Sequence, residues 1–215
     1  MRDNILIGVT QRVDKDNFRE EWRDALDQRL IKWVIESGFV PIPIPNTMVD
    51  IKLSNKRQPV LDNWISELGI DALILSGGND IGEVPQRDLT EQYLLKWSEK
   101  NRKPVLGICR GMQMMGVYAG GSLIKVDGHV RTYHKLQTHN DFEKSFPKSV
   151  NSYHNLALKD CPDMFQILAK SEDGNLEAMR HKDLPWEAWM WHPEREKVFT
   201  RNNQERFRKL VNNEK

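Results

Sequence analysis

A pentapeptide with a glycine on each side of a cysteine, Gly107-Ile-Cys-Arg-Gly111, constrains the fold of this chain more than any other stretch. It follows a short apolar run, Val105 to Ile108, and precedes a predicted helix, Met112 to Ala119. Glycines two positions before and two positions after the central residue are typical of a nucleophile elbow, a sharp turn from strand to helix. Such a turn leaves the cysteine at a helix N-terminus, where the helix dipole favours the thiolate over the thiol.

The pentapeptide alone does not decide between a reactive and a structural cysteine. Cysteine is among the residue types that are most often buried, and an inert Cys109 in a strand–turn–helix would have the same local sequence. Short motifs also occur by chance. The choice between the two interpretations therefore depends on the rest of the chain.

The first half of the chain alternates short apolar runs with amphipathic segments. The predicted strands are Ile5 to Thr10, Phe39 to Pro45, Ala72 to Leu75 and Val105 to Ile108. The predicted helices are Glu21 to Ser37, Pro59 to Leu68, Thr90 to Asn101 and Met112 to Ala119. Continuous apolar runs are typical of parallel strands that are buried on both faces. The alternation predicts an α/β fold with an open, mostly parallel sheet flanked by helices.

The second half of the chain is richer in predicted strands. They are Leu123 to Val126, Ser149 to Leu158, Phe165 to Lys170, Leu176 to His181 and Ala188 to Trp191, followed by a helix from Arg201 to Asn213. The polar stretch from Asp127 to Lys148 is predicted to be a long surface loop. A hairpin within this loop is an open alternative. No linker or repeat divides the chain, so residues 1–215 are predicted to form a single domain.

Composition excludes several classes of function. The formal net charge is +1, with 32 Lys+Arg against 31 Asp+Glu, and the absence of a basic stripe argues against nucleic acid as a partner. Apolar runs are too short for a membrane span, and the start is too short for a signal peptide. Two cysteines make no disulfide framework, so a cytoplasmic protein with a free thiol is expected. The oligomeric state, including a homodimer, stays open.

A reactive thiol needs a base, and the base needs a group that orients it. His192-Pro-Glu194 follows an apolar run, which places His192 at another predicted strand end. Glu194 is near enough in sequence to turn back onto the far imidazole nitrogen. Each residue alone also suits an ordinary solvated position, and it is their combination with the elbow that favours catalysis.

Two backbone amides are candidates for an oxyanion hole. The residue after an elbow nucleophile, here Arg110, supplies one N–H group. Gly78 follows the neighbouring predicted strand and could supply the other, because functional groups in open α/β sheets lie beyond the carboxyl ends of the strands. Gly77-Gly78 also suits a plain turn from strand to loop.

Three motifs, Ser76-Gly-Gly78, Gly107 to Gln113 and His192 to Glu194, resemble the class I glutamine amidotransferase fold, which is flavodoxin-like. The closer similarity is to its γ-glutamyl hydrolase branch, of peptidase C26 type, and it spans nearly the whole chain. The resemblance implies a γ-glutamyl amide hydrolase that needs no cofactor. It implies Cys109 as nucleophile, His192 as general base and acid, and Glu194 as the orienting group. It implies that the substrate is bound by Gly77, Asn79, Gln113, Ser152, Tyr153 and His154.

Finer stretches, Ser76 to Gly82, Val150 to Leu156 and Met190 to Glu196, are similar to the short γ-glutamyl hydrolases of capsule biosynthesis. Those enzymes release glutamate from γ-glutamyl-CDP-amidate and leave cytidine diphosphoramidate, for O-methyl phosphoramidate on surface polysaccharide. The resemblance implies a small, nucleotide-linked γ-glutamyl substrate for this chain too. Two alternatives stay open: a γ-glutamyl-GABA hydrolase of polyamine catabolism, and a glutaminase subunit that feeds ammonia to a partner synthase.

The polar stretch carries His129, His134 and His139 at intervals of five residues, with Arg131 and Lys135 between them. Such cationic surroundings would suit a diphosphate leaving group, but a solvated loop with incidental histidines is the preferred interpretation. A metal site is not expected, because this spacing puts no two histidines on one helical face and no cysteine lies nearby.

Overall fold

The computed structural model describes residues 4–53, 57–138 and 146–214. Its strands are β1 (Leu6–Thr10), β2 (Arg12–Asp16), β3 (Glu21–Ala25), β4 (Val40–Ile44), β5 (Ala72–Leu75), β6 (Val105–Ile108), β7 (Leu123–Lys125), β8 (Val130–Thr138), β9 (Ser149–Tyr153), β10 (Leu156–Leu158), β11 (Phe165–Ser171), β12 (Leu176–His181) and β13 (Trp186–Trp189). Its helices are α1 (Gln28–Glu36), α2 (Pro59–Leu68), α3 (Pro85–Asn101), α4 (Arg110–Tyr118) and α5 (Arg201–Val211).

One sheet organises the described residues, with strand order β4-β1-β5-β6-β13-β12-β11-β8-β9. The first five strands of that order pair in parallel. The remaining four extend the sheet by antiparallel pairing. The predicted α/β fold with an open, mostly parallel sheet and flanking helices is confirmed, with an antiparallel extension contributed by the second half of the chain.

The two faces of the sheet carry separate apolar clusters, because β5 and β6 are buried on both faces. Trp33 of α1 stacks on Phe207 of α5 at 4.9 Å between ring centroids on one face. Leu61 of α2 and Met112 of α4 are buried on the other. Full burial of a large apolar side chain stabilises a fold by roughly 1.5–3 kcal/mol, so these helices hold the sheet and its strand ends in place.

The predicted helix from Glu21 to Ser37 is wrong in its first part. Glu21–Ala25 is β3, which pairs with β2 in a separate two-stranded hairpin, and the helix begins only at Gln28. Asp27 caps that helix by accepting a hydrogen bond from the amide of Arg29 at 2.9 Å. Trp22 fitted the helical period by coincidence, since its side chain is 64% exposed and contributes nothing to the core.

The predicted loop from Asp127 to Lys148 is also wrong in part. Val130–Thr138 is β8, a nine-residue strand that pairs with β9 and β11. The inward-facing residues of β8 include Thr132 and His134 and are only half-buried. Polar side chains therefore lie on both faces of the strand, and the alternation of apolar and polar residues that indicates a β-strand is absent. His139 lies outside the described residues.

Several smaller boundaries differ from the predictions, and β13, for example, ends at Trp189 instead of Trp191. The predicted strand from Ser149 to Leu158 is divided into β9, in the main sheet, and β10, which pairs with β7 in another. Helix α3 begins five residues before Thr90, at Pro85, where proline is well tolerated because the first helical amide needs no partner. Within the described ranges, every helix is too short or too polar to cross a bilayer.

Candidate active site

Cys109 occupies the sharp turn between β6 and α4, with φ 51° and ψ −105°. A positive φ is uncommon for a residue other than glycine, and here the surroundings enforce it. The amide of Cys109 donates to the carbonyl of Trp189 at 2.8 Å, which ties the turn to β13. A side chain at Gly111 would place its Cβ 2.0 Å from the carbonyl oxygen of Leu75. The strand–elbow–helix predicted from the two flanking glycines is present.

His192 and Glu194 form a buried pair at the end of the neighbouring strand. Nδ1 of His192 lies 2.6 Å from Oε1 of Glu194. Residues Pro193–Arg195 make a short 3-10 turn, and this turn folds Glu194 back onto the imidazole. Pro193, which lies beyond the end of β13 at Trp189, is therefore the residue that opens the orienting turn.

The charge state of His192 is set by competing effects. Burial lowers its pKa, but the nearby Glu194 and Cys109 outweigh burial and raise the pKa of His192 to about 10. Burial raises the pKa of Glu194, and the charge and hydrogen bond of His192 reverse this and lower it. The arrangement therefore favours an imidazolium held between the Glu194 carboxylate and the nearby Cys109 sulfur.

Two further predicted residues contact the imidazole of His192. Gly77 backs the ring without room for a side chain. The ring of Tyr153 meets it edge-on at 5.8 Å between centroids, and the Arg195 guanidinium lies 4.5 Å above the Tyr153 ring. A small cleft opens here and is lined by Arg12, Ala25, Leu26, Asp27, Leu30, Ser76, Gly77, Gly78, His192, Glu194 and Arg195.

The loop after β5 is fixed by Arg87. Its guanidinium donates to the carbonyls of Ser76 and Gly77 at 2.7 and 2.9 Å. The N–H of Gly78 shares a peptide with the Gly77 carbonyl, and in a trans peptide the two point in opposite directions. Gly78 itself has φ 122°, where its Cβ would be 2.6 Å from that of Arg12. The Gly78 amide therefore points away from Arg87, and its role in an oxyanion hole stays a prediction.

Arg110 begins α4, so its backbone N–H has no acceptor within the helix. Its side chain turns the other way, into ion pairs with Asp88 and Glu91. Glu91 also accepts from Thr10 at 2.8 Å and from Arg87 at 3.2 Å. This buried network, which sequence reasoning missed, links the elbow to the loop after β5. The sequence signal was the spacing of four between Arg87 and Glu91, but Arg87 lay outside the predicted helix, which began at Thr90.

Gln113 lies one helical turn after Cys109, and its amide N–H donates to the Cys109 carbonyl at 3.1 Å. Its side-chain Nε2 donates to the carbonyl of Leu156 at 2.9 Å. Its Oε1 is buried and finds no hydrogen-bond donor among residues 4–53, 57–138 and 146–214. A buried acceptor without a donor costs free energy, so this atom suits an incoming substrate N–H.

The remaining predicted substrate residues are engaged with the chain itself. Asn79 uses both amide atoms on the backbone of Val13, at 2.8 and 2.9 Å. The Ser152 hydroxyl donates to the carbonyl of His129 at 2.7 Å. His154 joins a buried cluster with His129, His134 and Glu177 that could hold a metal ion. Roles for these side chains in substrate binding stay predictions.

Asn151 is a positioning residue that the sequence did not single out. Its amide nitrogen donates to the carbonyl of His192 at 2.8 Å, and its oxygen accepts from the His192 amide at 3.1 Å. The side chain is buried and so clamps the backbone of the predicted base from β9. Its position just before the Ser152-Tyr153-His154 segment was the available signal.

A cleft of about 910 Å³ lies elsewhere in the described part of the chain. It is lined mainly by α3 side chains such as Tyr93, Lys96 and Trp97 and holds none of the predicted site residues. Volume alone is a weak guide to an active site, and the chemically competent groups converge at Cys109.

The sequence profile of the peptidase C26 family matches residues 5–194. The chain belongs to the peptidase C26 family. It is accordingly a hydrolase of γ-glutamyl amide bonds. It is 29% identical over 201 residues to the γ-glutamyl-CDP-amidate hydrolase of Campylobacter jejuni subsp. jejuni serotype O:2, covering 89% of this chain and 91% of that protein. It is 24% identical over 221 residues to a γ-glutamyl-γ-aminobutyrate hydrolase of Escherichia coli O157:H7, covering 89% and 86%.

The fold is also similar to a solved structure, that of a glutamine amidotransferase from Thermotoga maritima. The TM-score is 0.63 at 16% sequence identity, over 99% of this chain and 86% of that one. At this identity the likeness supports the fold and not a reaction.

Proposed function

We propose that this C26 hydrolase cleaves γ-glutamyl-CDP-amidate to L-glutamate and cytidine diphosphoramidate, a step in the phosphoramidate modification of surface polysaccharide. The observation that carries the choice of substrate is the near full-length similarity to the Campylobacter jejuni enzyme. The mechanism rests on the buried contacts among Cys109, His192 and Glu194. Both cysteines of the chain are free, which suits a reducing cytoplasm.

In the first half-reaction the Cys109 thiolate attacks the γ-carbonyl carbon. The carbonyl oxygen becomes an oxyanion, held by the amides of Gly78 and Arg110. Removal of one such donor typically costs about 2.7–4 kcal/mol of transition-state stabilisation. The tetrahedral intermediate then collapses as His192 donates its Nε2 proton to the departing nitrogen, which leaves a γ-glutamyl thioester on Cys109.

In the second half-reaction His192 takes a proton from water, and the resulting hydroxide attacks the thioester. Collapse of this second intermediate breaks the carbon–sulfur bond, releases glutamate and restores the thiolate and imidazolium. Glu194 keeps the proton on Nδ1 throughout, so that Nε2 is the nitrogen that faces the reacting atoms.

Two polar features support a γ-glutamyl substrate with an anionic leaving group. The buried Oε1 of Gln113, without a donor in the described chain, suits the α-ammonium of the glutamyl part. Arg12 and Arg195 line the cleft beside His192, with side chains 48% and 32% exposed. Guanidinium groups bind phosphate and carboxylate oxygens through paired, charge-assisted hydrogen bonds, so this mouth suits an anionic leaving group such as a diphosphate.

The experiment is glutamate release by the purified chain, with γ-glutamyl-CDP-amidate, γ-glutamyl-GABA and glutamine offered in parallel. We expect the nucleotide amidate to have the highest kcat/KM, and Cys109→Ala to release no glutamate from any of the three. A preference for γ-glutamyl-GABA would move the enzyme to polyamine catabolism. Slow cleavage of glutamine alone would indicate a glutaminase that needs a synthase partner.

A further inference from the structure

A second polar centre lies beside the proposed active site. Ligand-type atoms of His129, His134, His154 and Glu177 all lie within 4.8 Å of one another. His129, His154 and Glu177 are 1%, 4% and 0% exposed, and His134 is half-buried. His129 immediately precedes β8, which contains His134, while His154 follows β9 and Glu177 belongs to β12. The cluster therefore joins three strands that are distant in sequence.

The outer nitrogens of two of these histidines fix which ring atoms carry protons. Nε2 of His129 lies 2.7 Å from Oδ2 of Asp173, and Nδ1 of His154 lies 3.0 Å from the carbonyl of Leu156. Both oxygens accept hydrogen bonds, so each outer nitrogen must donate. The amide of Asn175 also approaches Nε2 of His129, at 3.3 Å, but its shorter bond, 3.0 Å, is to Asp173.

The inner nitrogens then face one another as lone pairs. Nδ1 of His129 and Nε2 of His154 are 3.3 Å apart, and Oε1 of Glu177 lies 3.9 Å and 3.7 Å from them. Nε2 of His134 and both carboxylate oxygens of Glu177 are buried, and none finds a hydrogen-bond partner in the described ranges. Acceptors that converge in a buried space without a donor are costly unless a cation lies between them.

The donor set fits a metal ion better than a shared proton. Three imidazoles and one carboxylate are ligands that Zn²⁺ takes in tetrahedral sites, with bonds of about 2.0–2.2 Å. Tetrahedral geometry at those bond lengths separates neighbouring ligand atoms by about 3.3–3.5 Å. The three distances among His129, His154 and Glu177 are 3.3, 3.7 and 3.9 Å, and the whole cluster, with His134, lies within 4.8 Å. Metal-bound histidines usually donate their other nitrogen to a carboxylate or a backbone carbonyl, as His129 and His154 do.

We propose that His129, His134, His154 and Glu177 form a binding site for a divalent transition-metal ion, with Zn²⁺ as the best fit. Four protein ligands close the coordination sphere, so the ion is structural and takes no part in the hydrolysis.

The position of this metal site gives the ion a role in holding the substrate segment. His154 adjoins Tyr153, whose ring packs on His192. The carbonyl of Leu156 accepts hydrogen bonds from both His154 and Gln113. Metal binding would therefore fix the backbone between β9 and β10, on which the orientation of Gln113 and Tyr153 depends.

The test is a Zn²⁺ titration of the chelator-treated full chain, carried out in a Cys109→Ala background so that no thiolate at the elbow competes for metal. We expect one tightly bound Zn²⁺ per chain, a rise in Tm on addition of Zn²⁺, and tetrahedral d–d absorption bands when Co²⁺ replaces it. The titration measures metal binding and not glutamate release, so its failure would leave the proposed hydrolysis unaffected.

Matched variants separate ligands from bystanders. Glu177→Gln keeps the shape of the side chain and should weaken Zn²⁺ binding at least about 100-fold, because loss of an outer-shell partner alone costs about 10–100-fold. Asp173→Asn changes such an outer-shell partner and should weaken Zn²⁺ binding by about 10–100-fold. Glu172→Gln, at a side chain 61% exposed, should change neither affinity nor the Zn²⁺-dependent rise in Tm. Less than one equivalent of bound Zn²⁺, or equal affinity in Glu177→Gln, would overturn the metal site and leave a protonated histidine cluster in its place.

Discussion

Gly77 and the imidazole of His192 are in direct contact: a Cβ built on Gly77 would lie 2.6 Å from Cε1 of the ring. The backbone of Gly77 thus forms one wall of the space that the imidazole occupies. Tyr153 meets the same ring at 5.8 Å and Glu194 holds its Nδ1 at 2.6 Å. The orientation of the predicted base is therefore determined by contacts on several sides.

Gly77→Ala should displace this ring. The φ of Gly77 lies outside the left-handed region, so alanine strains the backbone little and the effect falls on His192. We expect kcat to fall by about 10²-fold, because a displacement of about 1 Å at a catalytic group can cost that much. Steady-state glutamate release measures it, with circular dichroism to confirm folding.

Gly120→Ala is the matched control for that substitution. Gly120 has φ 85°, and an alanine methyl there would meet no heavy atom within 4 Å, so alanine should cost about 1–2 kcal/mol of backbone strain without touching the site. Its Tm should fall while kcat stays at the wild-type value. Equal kcat in Gly77→Ala and wild type would show that His192 does not depend on this wall.

Glu194→Gln should remove the charge that orients and stabilises the imidazolium. The amide keeps the size of the carboxylate, so the fold should survive, and kcat should drop at least about 10²-fold with KM little changed. Glu67→Gln, at an exposed position of α2, should leave both constants unaltered. Activity within a few-fold of wild type in Glu194→Gln would mean that His192 needs no carboxylate partner.

The raised pKa of His192 predicts a specific titration. Because Glu194 and Cys109 raise it to about 10, the Cε1 proton resonance should titrate far above the usual value of about 6.5. Cys109→Ala and Glu194→Gln should each lower that pKa, because both residues raise it in the wild type. NMR titration of the three proteins measures each value directly. A midpoint near 6.5 in the wild type would contradict the ion pair.

The same shift has a consequence for stability. A group whose pKa is raised in the folded state stabilises the fold fully below its unfolded pKa, about 6.5, and loses that contribution as pH rises towards the folded value. For His192 the loss should extend from pH 6.5 to about 10. The difference in Tm between wild type and His192→Gln should therefore shrink across this window. Parallel curves would contradict the prediction.

Much of the parallel half of the fold could be predicted because its sequence signals are local. Val105–Ile108 and Pro59–Leu68 have the predicted bounds, since apolar runs and amphipathic periods of that strength have few alternatives. The strand Glu21–Ala25 could not be predicted, because its apolar residues match a helical period by coincidence. Its pairing with Arg12–Asp16 in a hairpin determines its structure instead. β8 was concealed by polar side chains on both of its faces.

The residues of the candidate site could likewise be predicted only where the sequence signal is local. The placement of Cys109, His192 and Glu194 could be predicted because the elbow and the His-Pro-Glu turn are short motifs, while their catalytic roles stay predictions. Asn151 was missed, because a clamp 41 residues away in sequence leaves no local pattern. The histidine cluster was also missed. The five-residue spacing of His129 and His134 gives no sign of His154 and Glu177, which are distant in sequence and lie beside them only because the strands pair in the sheet.

Glu91 is the residue on which we expect the architecture beneath the site to depend most. It pairs with two buried guanidiniums. Arg110 carries one predicted oxyanion amide, and Arg87 of α3 holds the loop that carries the other, at Gly78. Glu91→Gln would leave those charges with too little compensation, and removal of one partner from a buried ion pair typically costs about 3–5 kcal/mol. Urea unfolding followed by tryptophan fluorescence measures the loss.

Glu205→Gln provides the comparison at the same helical spacing. Arg201 and Glu205 form an i, i+4 pair like Arg87 and Glu91, but their side chains are 87% and 46% exposed. Exposed helix pairs contribute only about 0.3–0.5 kcal/mol, so Glu205→Gln should unfold almost as the wild type does. If Glu91→Gln is no less stable than Glu205→Gln, the buried network does not hold the two oxyanion segments together, and their positions must come from the apolar packing of α3 and α4 alone.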